Sequence, residues 1–270
     1  ITLYIDGNLI QTDNSISANG TLVNSADIEI GNGNAQNAFN GVIDEVRTYN
    51  RALSPYEVRT LYNYAPGPVA YWKFDENTGT SGYDSSGNAN TGSFVNTPLW
   101  DQGKYGSSLR FNGSNTYLTV PDSSTVEFGT GSFTASAWFK YNGTATTQDY
   151  ILHKWETGVA GGYALNIQNV GTLRFGIEDD GSSFPEDSAT STARYDDGKW
   201  HYVTGVKTGT SKIELFVDGV LVATDASVSS TATLDNANTL KLGARYDGTQ
   251  QFDGWIDDIK LYNYARTQSQ

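Results

Sequence analysis

The sequence predicts an all-β protein in which two antiparallel sheets pack face to face, preceded by a partial copy of the same fold. Three observations carry that prediction. Apolar residues recur with a period of two over strand-length runs, Gly, Asn or Asp interrupts those runs at short intervals, and a closing segment near the C-terminus is repeated at the N-terminus.

The repeat organises the chain. Ile1-Thr-Leu-Tyr-Ile-Asp-Gly-Asn-Leu-Ile-Gln-Thr-Asp13 matches Ile213-Glu-Leu-Phe-Val-Asp-Gly-Val-Leu-Val-Ala-Thr-Asp225, and Ile28-Glu-Ile-Gly31 matches Leu240-Lys-Leu-Gly243. Phe39-Asn-Gly-Val-Ile-Asp-Glu-Val-Arg-Thr-Tyr-Asn50 matches Phe252-Asp-Gly-Trp-Ile-Asp-Asp-Ile-Lys-Leu-Tyr-Asn263. The pairs keep their order and, but for one inserted residue, their spacing. Residues 1–65 therefore read as the C-terminal part of one domain and 69–267 as a complete second domain of the same type. The opening strands of the earlier copy, roughly 145 residues by ordinary domain size, are expected upstream of Ile1. Ala65-Pro-Gly-Pro68 supplies the linker, 66–68, because its prolines forbid both a continuing helix and a central strand.

Within the first segment, Ser54-Pro-Tyr-Glu57 has the pattern of a helix start, with Ser as cap, Pro at the first helical position and Glu reaching back. It predicts one short helix over 55–62. Elsewhere Thr134–Lys140, Tyr163–Ile167, Leu173–Ile177 and Trp200–Val206 read as strands, and Asp6-Gly7 and Asp218-Gly219 as type I′ hairpin turns.

Composition narrows the functions. Seventeen Lys and Arg against thirty Asp and Glu leave a net charge of −13, a field that disfavours nucleic acid and anionic membrane surfaces as partners. No apolar run approaches a membrane span. The absence of cysteine removes disulfides, thiolate chemistry and Cys-ligated zinc, and two histidines leave little for imidazole sites. The many Gly, Tyr, Ser, Thr and Asn are typical of secreted or cell-surface β-proteins.

At this point the motifs resemble the laminin-G-like branch of the concanavalin-A-like lectin/glucanase superfamily. The resemblance runs in order through Tyr71-Trp-Lys-Phe-Asp-Glu76, Asp84-Ser-Ser-Gly-Asn88, Leu109-Arg-Phe-Asn-Gly113, Phe133-Thr-Ala-Ser-Ala-Trp138, Gly198-Lys-Trp-His201, Leu215-Phe-Val-Asp-Gly219 and Gly254-Trp-Ile-Asp-Asp258. It implies a jelly-roll β-sandwich, usually non-catalytic, often holding calcium, and used for adhesion or glycan binding. Two departures stand out: Trp255, where the family more often has a small or aliphatic residue, and Tyr264-Ala-Arg-Thr267 in place of the Arg51-Ala-Leu-Ser54 capping segment.

Calcium takes oxygen ligands, and the Gly-containing loop Asp84-Ser-Ser-Gly-Asn-Ala-Asn90 offers them through Asp84, Asn88 and Asn90. The resemblance brings the first and last strands together, adding Asp75 and Asp257. Asp257 alternates with Ile259 and Leu261, and a carboxylate on an apolar face is costly unless paired or metal-bound. For a glycan, the expected stacking residues are Trp100, Trp155, Tyr163, Phe184 and Tyr246, in or beside polar loops, whereas Trp72, Trp138 and Trp200 read as core. No Glu-x-Asp-x-x-Glu pattern supports a retaining glycosidase, so catalysis is not expected. The expected role is a binding or adhesion module for a carbohydrate or an extracellular protein. The alternative is a structural spacer or self-assembling filament module, in which neighbouring copies complement residues 1–65 with strands.

Overall fold

The computed structural model describes residues 1–5, 7–15, 28–31, 39–41, 43, 46–62, 66–181 and 185–268. The chain divides into two compact units, Ile1–Pro66 and Gly67–Gln270. In the first, β1 (Thr2–Ile5) and β2 (Asn8–Thr12) form an antiparallel hairpin. Its turn residue Asp6 lies outside the described residues. The helix α1 spans Pro55–Tyr62 with its capping box closed: Glu57 N–H donates to Ser54 Oγ (3.2 Å) and Ser54 N–H to Glu57 Oε2 (2.8 Å). No described apolar side chain of this unit is buried; Leu3, Ile5, Leu9 and Ile10 are each more than half exposed.

The second unit opens with β3 (Ala70–Trp72), β4 (Ser81–Gly82), β5 (Gly92–Val95), β6 (Leu99–Gln102), β7 (Ser107–Asn112) and β8 (Tyr117–Val120). Longer strands follow: β9 (Phe133–Tyr141), β10 (Asp149–Glu156), β11 (Val159–Ile167), β12 (Thr172–Glu178), β13 (Asp187–Arg194), β14 (Trp200–Thr208), β15 (Lys212–Val217) and β16 (Val220–Asp225). The last two are β17 (Leu240–Leu242) and β18 (Asp253–Tyr262). They form two antiparallel sheets of a jelly-roll sandwich. The first runs β13-β12-β11-β10-β17-β8-β5-β4 and the second β16-β15-β14-β9-β18-β7-β6, with β3 on the second half of β18.

Period-two alternation decides which side chains meet between the sheets. Phe133, Ala135, Ala137 and Phe139 of β9 point inward, as do Tyr163, Leu165 and Ile167 of β11 and Leu173, Phe175 and Ile177 of β12, all fully buried. Trp72 belongs to this core, its indole N–H donating to the Asn90 carbonyl (2.8 Å). Trp138 and Trp200, expected in the core, instead take the alternate positions and stay part-exposed on the outer face of the second sheet. The β15–β16 turn has the positive φ values of a type I′ hairpin at both Asp218 (51°) and Gly219 (78°). Lys154, fully buried, is satisfied by Asp122 Oδ1 and the Asn236 carbonyl (2.8 Å each) and by the Asn238 carbonyl (3.0 Å).

The central strand β18 carries a one-residue bulge. Asp257 pairs with Trp138 but Lys260 with Ser136, so three steps on β18 match two on β9, and Asp258 takes a left-handed φ of 52°. The bulge reverses the alternation: Ile256 points inward before it, and Ile259 and Leu261 after it. Asp257 therefore does not share a face with Ile259 and Leu261, as the unbroken alternation predicts; it stands with Trp138 on the outer face.

Between the two sheets, Gly205 of β14 lies directly against the Phe175 ring of β12. A Cβ on Gly205 would lie 2.2 Å from Phe175 Cγ. Gly205→Ala is expected to lower stability by about 1–3 kcal/mol through overpacking, and Phe175→Leu in the same chain to recover part of it. Chemical denaturation of the single and double variants measures both.

Candidate functional site

Loop Gly103–Gly106, between β6 and β7, sits on the outer face of the second sheet and connects two features. On one side it meets carboxylates. Tyr105 N–H donates to Asp257 Oδ2 (3.1 Å), Ser107 N–H donates to Asp75 Oδ1 (3.0 Å), and Gly103 N–H closes the loop on the Gly106 carbonyl (3.0 Å). Glycine is required at Gly106, where φ is 59° and a Cβ would lie 2.0 Å from Asp75 Oδ1. A Cβ on Gly103 would likewise meet both the Ser107 carbonyl oxygen (2.5 Å) and Asp257 Oδ2 (2.7 Å).

Asp257 is 1% exposed, and its Oδ1 is buried without a hydrogen-bond partner. Burial, with the charges of Asp258 and Asp75 nearby, pushes its carboxyl up to about 6 against the opposing Tyr105 N–H. Asp258 is occupied differently, accepting the Tyr71 hydroxyl at 2.5 Å. Asp75, Asp257 and the Ser107 carbonyl thus gather oxygen donors around one loop, with one buried acceptor to spare. Carboxylate and carbonyl oxygens are the ligand types that a hard divalent cation takes.

The loop Asp84–Asn90 does not join that group. Asp84 Oδ1 accepts N–H bonds from Tyr71 and Ser86, and Oδ2 accepts from Ser86 Oγ and from both the backbone and side-chain nitrogens of Asn90. Burial opposes ionisation of Asp84, but these donors outweigh it and hold the carboxyl below its ordinary range. Asn88 and Asn90 donate their amides to the Val69 carbonyl, and Asn90 Oδ1 accepts from Thr125. The expected five-residue shell is therefore split, with Asp84, Asn88 and Asn90 spent on holding a turn. A further acidic group, Glu178, Asp180 and Glu186, brings ligand atoms within 4.8 Å of one another at the end of β12 and could hold a metal ion. Its sequence gave no signal beyond a loop at Ile177–Gly181.

On its other side the loop borders an aromatic and cationic row. Cross-strand partners Arg110 (β7), Trp255 (β18), Lys140 (β9) and Trp200 (β14) lie side by side on four neighbouring strands. Arg110 lies 5.0 Å and Lys140 Nζ 4.5 Å from the Trp255 ring centroid, and Lys104 Nζ lies 4.5 Å from that of Trp138. Trp255 Nε1 donates to Asp101 Oδ2 (2.8 Å). A cleft of about 440 Å³ opens here, lined by Asp101, Gln102, Gly103, Lys104, Lys140, Trp200 and Trp255. Among the described residues no cation lies over the Trp200 ring.

Two of the five aromatic residues expected to stack on a ligand, Tyr163 and Trp155, are corrected by burial, and a third, Trp100, is part-exposed but turned inward. Tyr163 is in the core with its hydroxyl on the Val126 carbonyl (2.9 Å), Trp155 is 4% exposed, and Trp100 packs inward against Phe94 (5.7 Å between ring centroids). Each sits where strand alternation sends a large apolar side chain inside or under a neighbour. Tyr246 is part-exposed, stacked on His153 (5.9 Å) and edge-on to Trp155 (6.3 Å), on the outer face of the first sheet. Phe184 lies outside the described residues. What the sequence reading missed was Trp200 and Trp255; both pair with Lys140, the outward neighbour of inward-pointing Phe139, and Trp255 also directly precedes inward-pointing Ile256.

The family model Laminin_G_3, described as the concanavalin A-like lectin/glucanases superfamily, matches residues 1–59 and 112–270. Among solved structures, the binding domain of Paraclostridial Mosquitocidal Protein 1 is similar with a TM-score of 0.61 and 15% identity, over 75% of this chain and 50% of that one. The binding domain of Botulinum Neurotoxin DC in complex with SialylT gives 0.56 and 15%, over 75% and 49%. The chain spans about half the length of these toxin domains. Domain 4 of AbnA, an extracellular arabinanase from Geobacillus stearothermophilus in complex with arabinotriose, gives 0.56 and 19%, over 76% of this chain and 96% of that one.

The raised carboxyl of Asp257 has a definite sign. Between the ordinary 3.8 and about 6, the folded protein holds a proton that the unfolded chain has lost. Stability from this group is therefore full below that window and falls as pH rises through it. In chelator, Asp257→Asn is expected to exceed the parent protein in stability at pH 7.5 by on the order of 2 kcal/mol, and by much less at pH 4. Denaturant melts at the two pH values read the difference.

Proposed function

This chain belongs to the Laminin_G_3 family of the concanavalin A-like lectin/glucanases superfamily, and on that premise we propose that it is a non-catalytic binding module that takes a glycan on the outer face of its second sheet. The observation that carries the reading is the cleft between Trp200 and Trp255, where part-exposed indoles adjoin amide, ammonium and carboxylate groups. The arabinotriose-bound structure, 96% of which this chain covers, supports a saccharide as ligand. Tyr246, on the first sheet, is the second place where a sugar could stack.

A binding role rather than hydrolysis is supported by the carboxylates. The cleft is lined by one, Asp101, whereas glycoside hydrolysis ordinarily uses two flanking the scissile bond. Asp257, the acid with a raised pKa, is sealed beneath loop Gly103–Gly106. A calcium ion held by Asp75, Asp257 and the Ser107 carbonyl would neutralise the buried carboxylate and fix the loop that walls the cleft. In this reading residues 1–65 are the closing part of a second copy of the fold, 66–68 a linker and 69–267 the complete module, working in a secreted or cell-surface protein. The separation of two compact units at Pro66 and a family model that matches 1–59 apart from 112–270 support two copies rather than one.

Glycan-panel binding with and without chelator tests the proposal. At least one saccharide is expected to bind, and Trp200→Ala to weaken it at least tenfold; a flat panel counts against it. Calcium in hundredfold excess over its dissociation constant is expected to stabilise the protein at pH 7.5 by about 2.7 kcal/mol. Asp257→Asn should abolish that gain and Glu178→Gln should leave it intact, the reverse pattern moving the ion to the end of β12.

The exposed Leu3, Ile5, Leu9 and Ile10 favour a second reading, self-assembly through residues 1–65. It requires a mass that grows with concentration in light scattering, and a clean monomer with a protease-sensitive segment 1–65 excludes it.

A further inference from the structure

We propose that the saccharide bound in this cleft is an anionic one, carrying carboxylate or sulfate groups; the inference rests on the glycan-binding reading above and adds the ligand's charge. Its basis is that three cations without a carboxylate within 4 Å lie together along one row of strands and its bordering loop, whereas Lys73, Lys207 and Lys241, which also lack one among the described residues, lie apart from it. In a chain of net charge −13, Lys154, Arg194, Lys199, Lys212, Arg245 and Lys260 each have a carboxylate within 4 Å. Lys104, Arg110 and Lys140 do not, among the described residues. Each lies against a tryptophan ring instead, two of them against Trp255. An indole offsets a cation's charge only in part, and the one carboxylate of the cleft, Asp101, interacts with both Arg110 and Lys140 without matching three cations, so net positive charge faces an incoming anion.

Geometry aligns them for one ligand. Arg110, Trp255, Lys140 and Trp200 occupy successive strands, which at about 4.8 Å per strand spreads the row over about 14 Å, long enough for a short oligosaccharide. Trp255 stands between two cations on its neighbouring strands and spaces them apart, while the part-exposed Trp200 lines the cleft at the end of the row. Lys104 adds a third cation on the loop that walls the cleft. The one carboxylate in the lining, Asp101, is engaged by Trp255 Nε1 and by the Gln102 N–H, so it sets the orientation of the indole. The remaining negative charge of the chain acts at longer range, where salt screens it beyond about 8 Å.

Titration calorimetry of the whole chain with an oligogalacturonate, a chondroitin sulfate oligosaccharide, a neutral arabino-oligosaccharide and a single-stranded DNA oligonucleotide separates the possibilities. At 50 mM NaCl one of the acidic saccharides is expected to bind at least tenfold more tightly than the neutral one, with the advantage shrinking at 500 mM. Lys140→Met and Arg110→Gln should each lower the ratio of acidic to neutral saccharide affinity severalfold, with circular-dichroism melts showing both variants folded. Equal or tighter binding of the neutral sugar overturns the anionic assignment and leaves the glycan-binding reading standing. Binding of no saccharide overturns both, and preference for the oligonucleotide overturns this inference in favour of a nucleic-acid partner.

Discussion

The bulge at Asp257–Asp258 in β18 is the constraint on which the functional face depends. Strand β18 lies in the middle of its sheet, so its register controls β9 on one flank and β7 and β3 on the other. Without the extra residue, Asp257 and Ile259 would share one face, and either a carboxylate would enter the core or the isoleucine would leave it. With it, Ile256, Ile259 and Leu261 all reach the interior while Trp255 and Asp257 stay outside. One left-handed residue, Asp258, thereby serves both the core and the site, and its own carboxylate takes up the Tyr71 hydroxyl.

The same strand couples the two halves of the site. Trp255 and Asp257 are two residues apart on one face, so the indole enters the row of cations and the carboxylate lies under loop Gly103–Gly106, which walls the cleft. The buried, unsatisfied Oδ1 of Asp257 is a cost to the fold. A cost of this kind persists where the surrounding packing enforces it, and it gives a bound cation a direct route to stabilise the loop and the cleft together.

Much of this architecture was legible in the residues. Alternation in Leu173–Ile177 and Tyr163–Ile167, the Ser54 and Glu57 capping box, and the Asp218-Gly219 turn are local signals whose physics operates over a few residues. The misreadings came from properties that need a partner strand. Tyr163 and Trp100 look like loop-edge aromatics until pairing shows which face they occupy, and Trp138 and Trp200 look like core until Phe133, Ala135, Ala137 and Phe139 claim the inward positions. The bulge has no signature in Gly254–Leu261 read alone. Likewise Asp84 and Asn90 have the composition of an ion-binding loop, and only their hydrogen bonds to Tyr71, Ser86 and Val69 show that their oxygens and amides are already used.

The chain's six tryptophans allow the central claim to be tested in one spectrum. Indole N–H resonances followed by NMR during titration with a bound saccharide should shift for Trp200 and Trp255 and stay in place for Trp72, buried in the core, and Trp155, on the opposite sheet. Shifts confined to Trp155, with Trp200 and Trp255 unmoved, would place the ligand beside Tyr246 and contradict the assignment of function to the outer face of the second sheet.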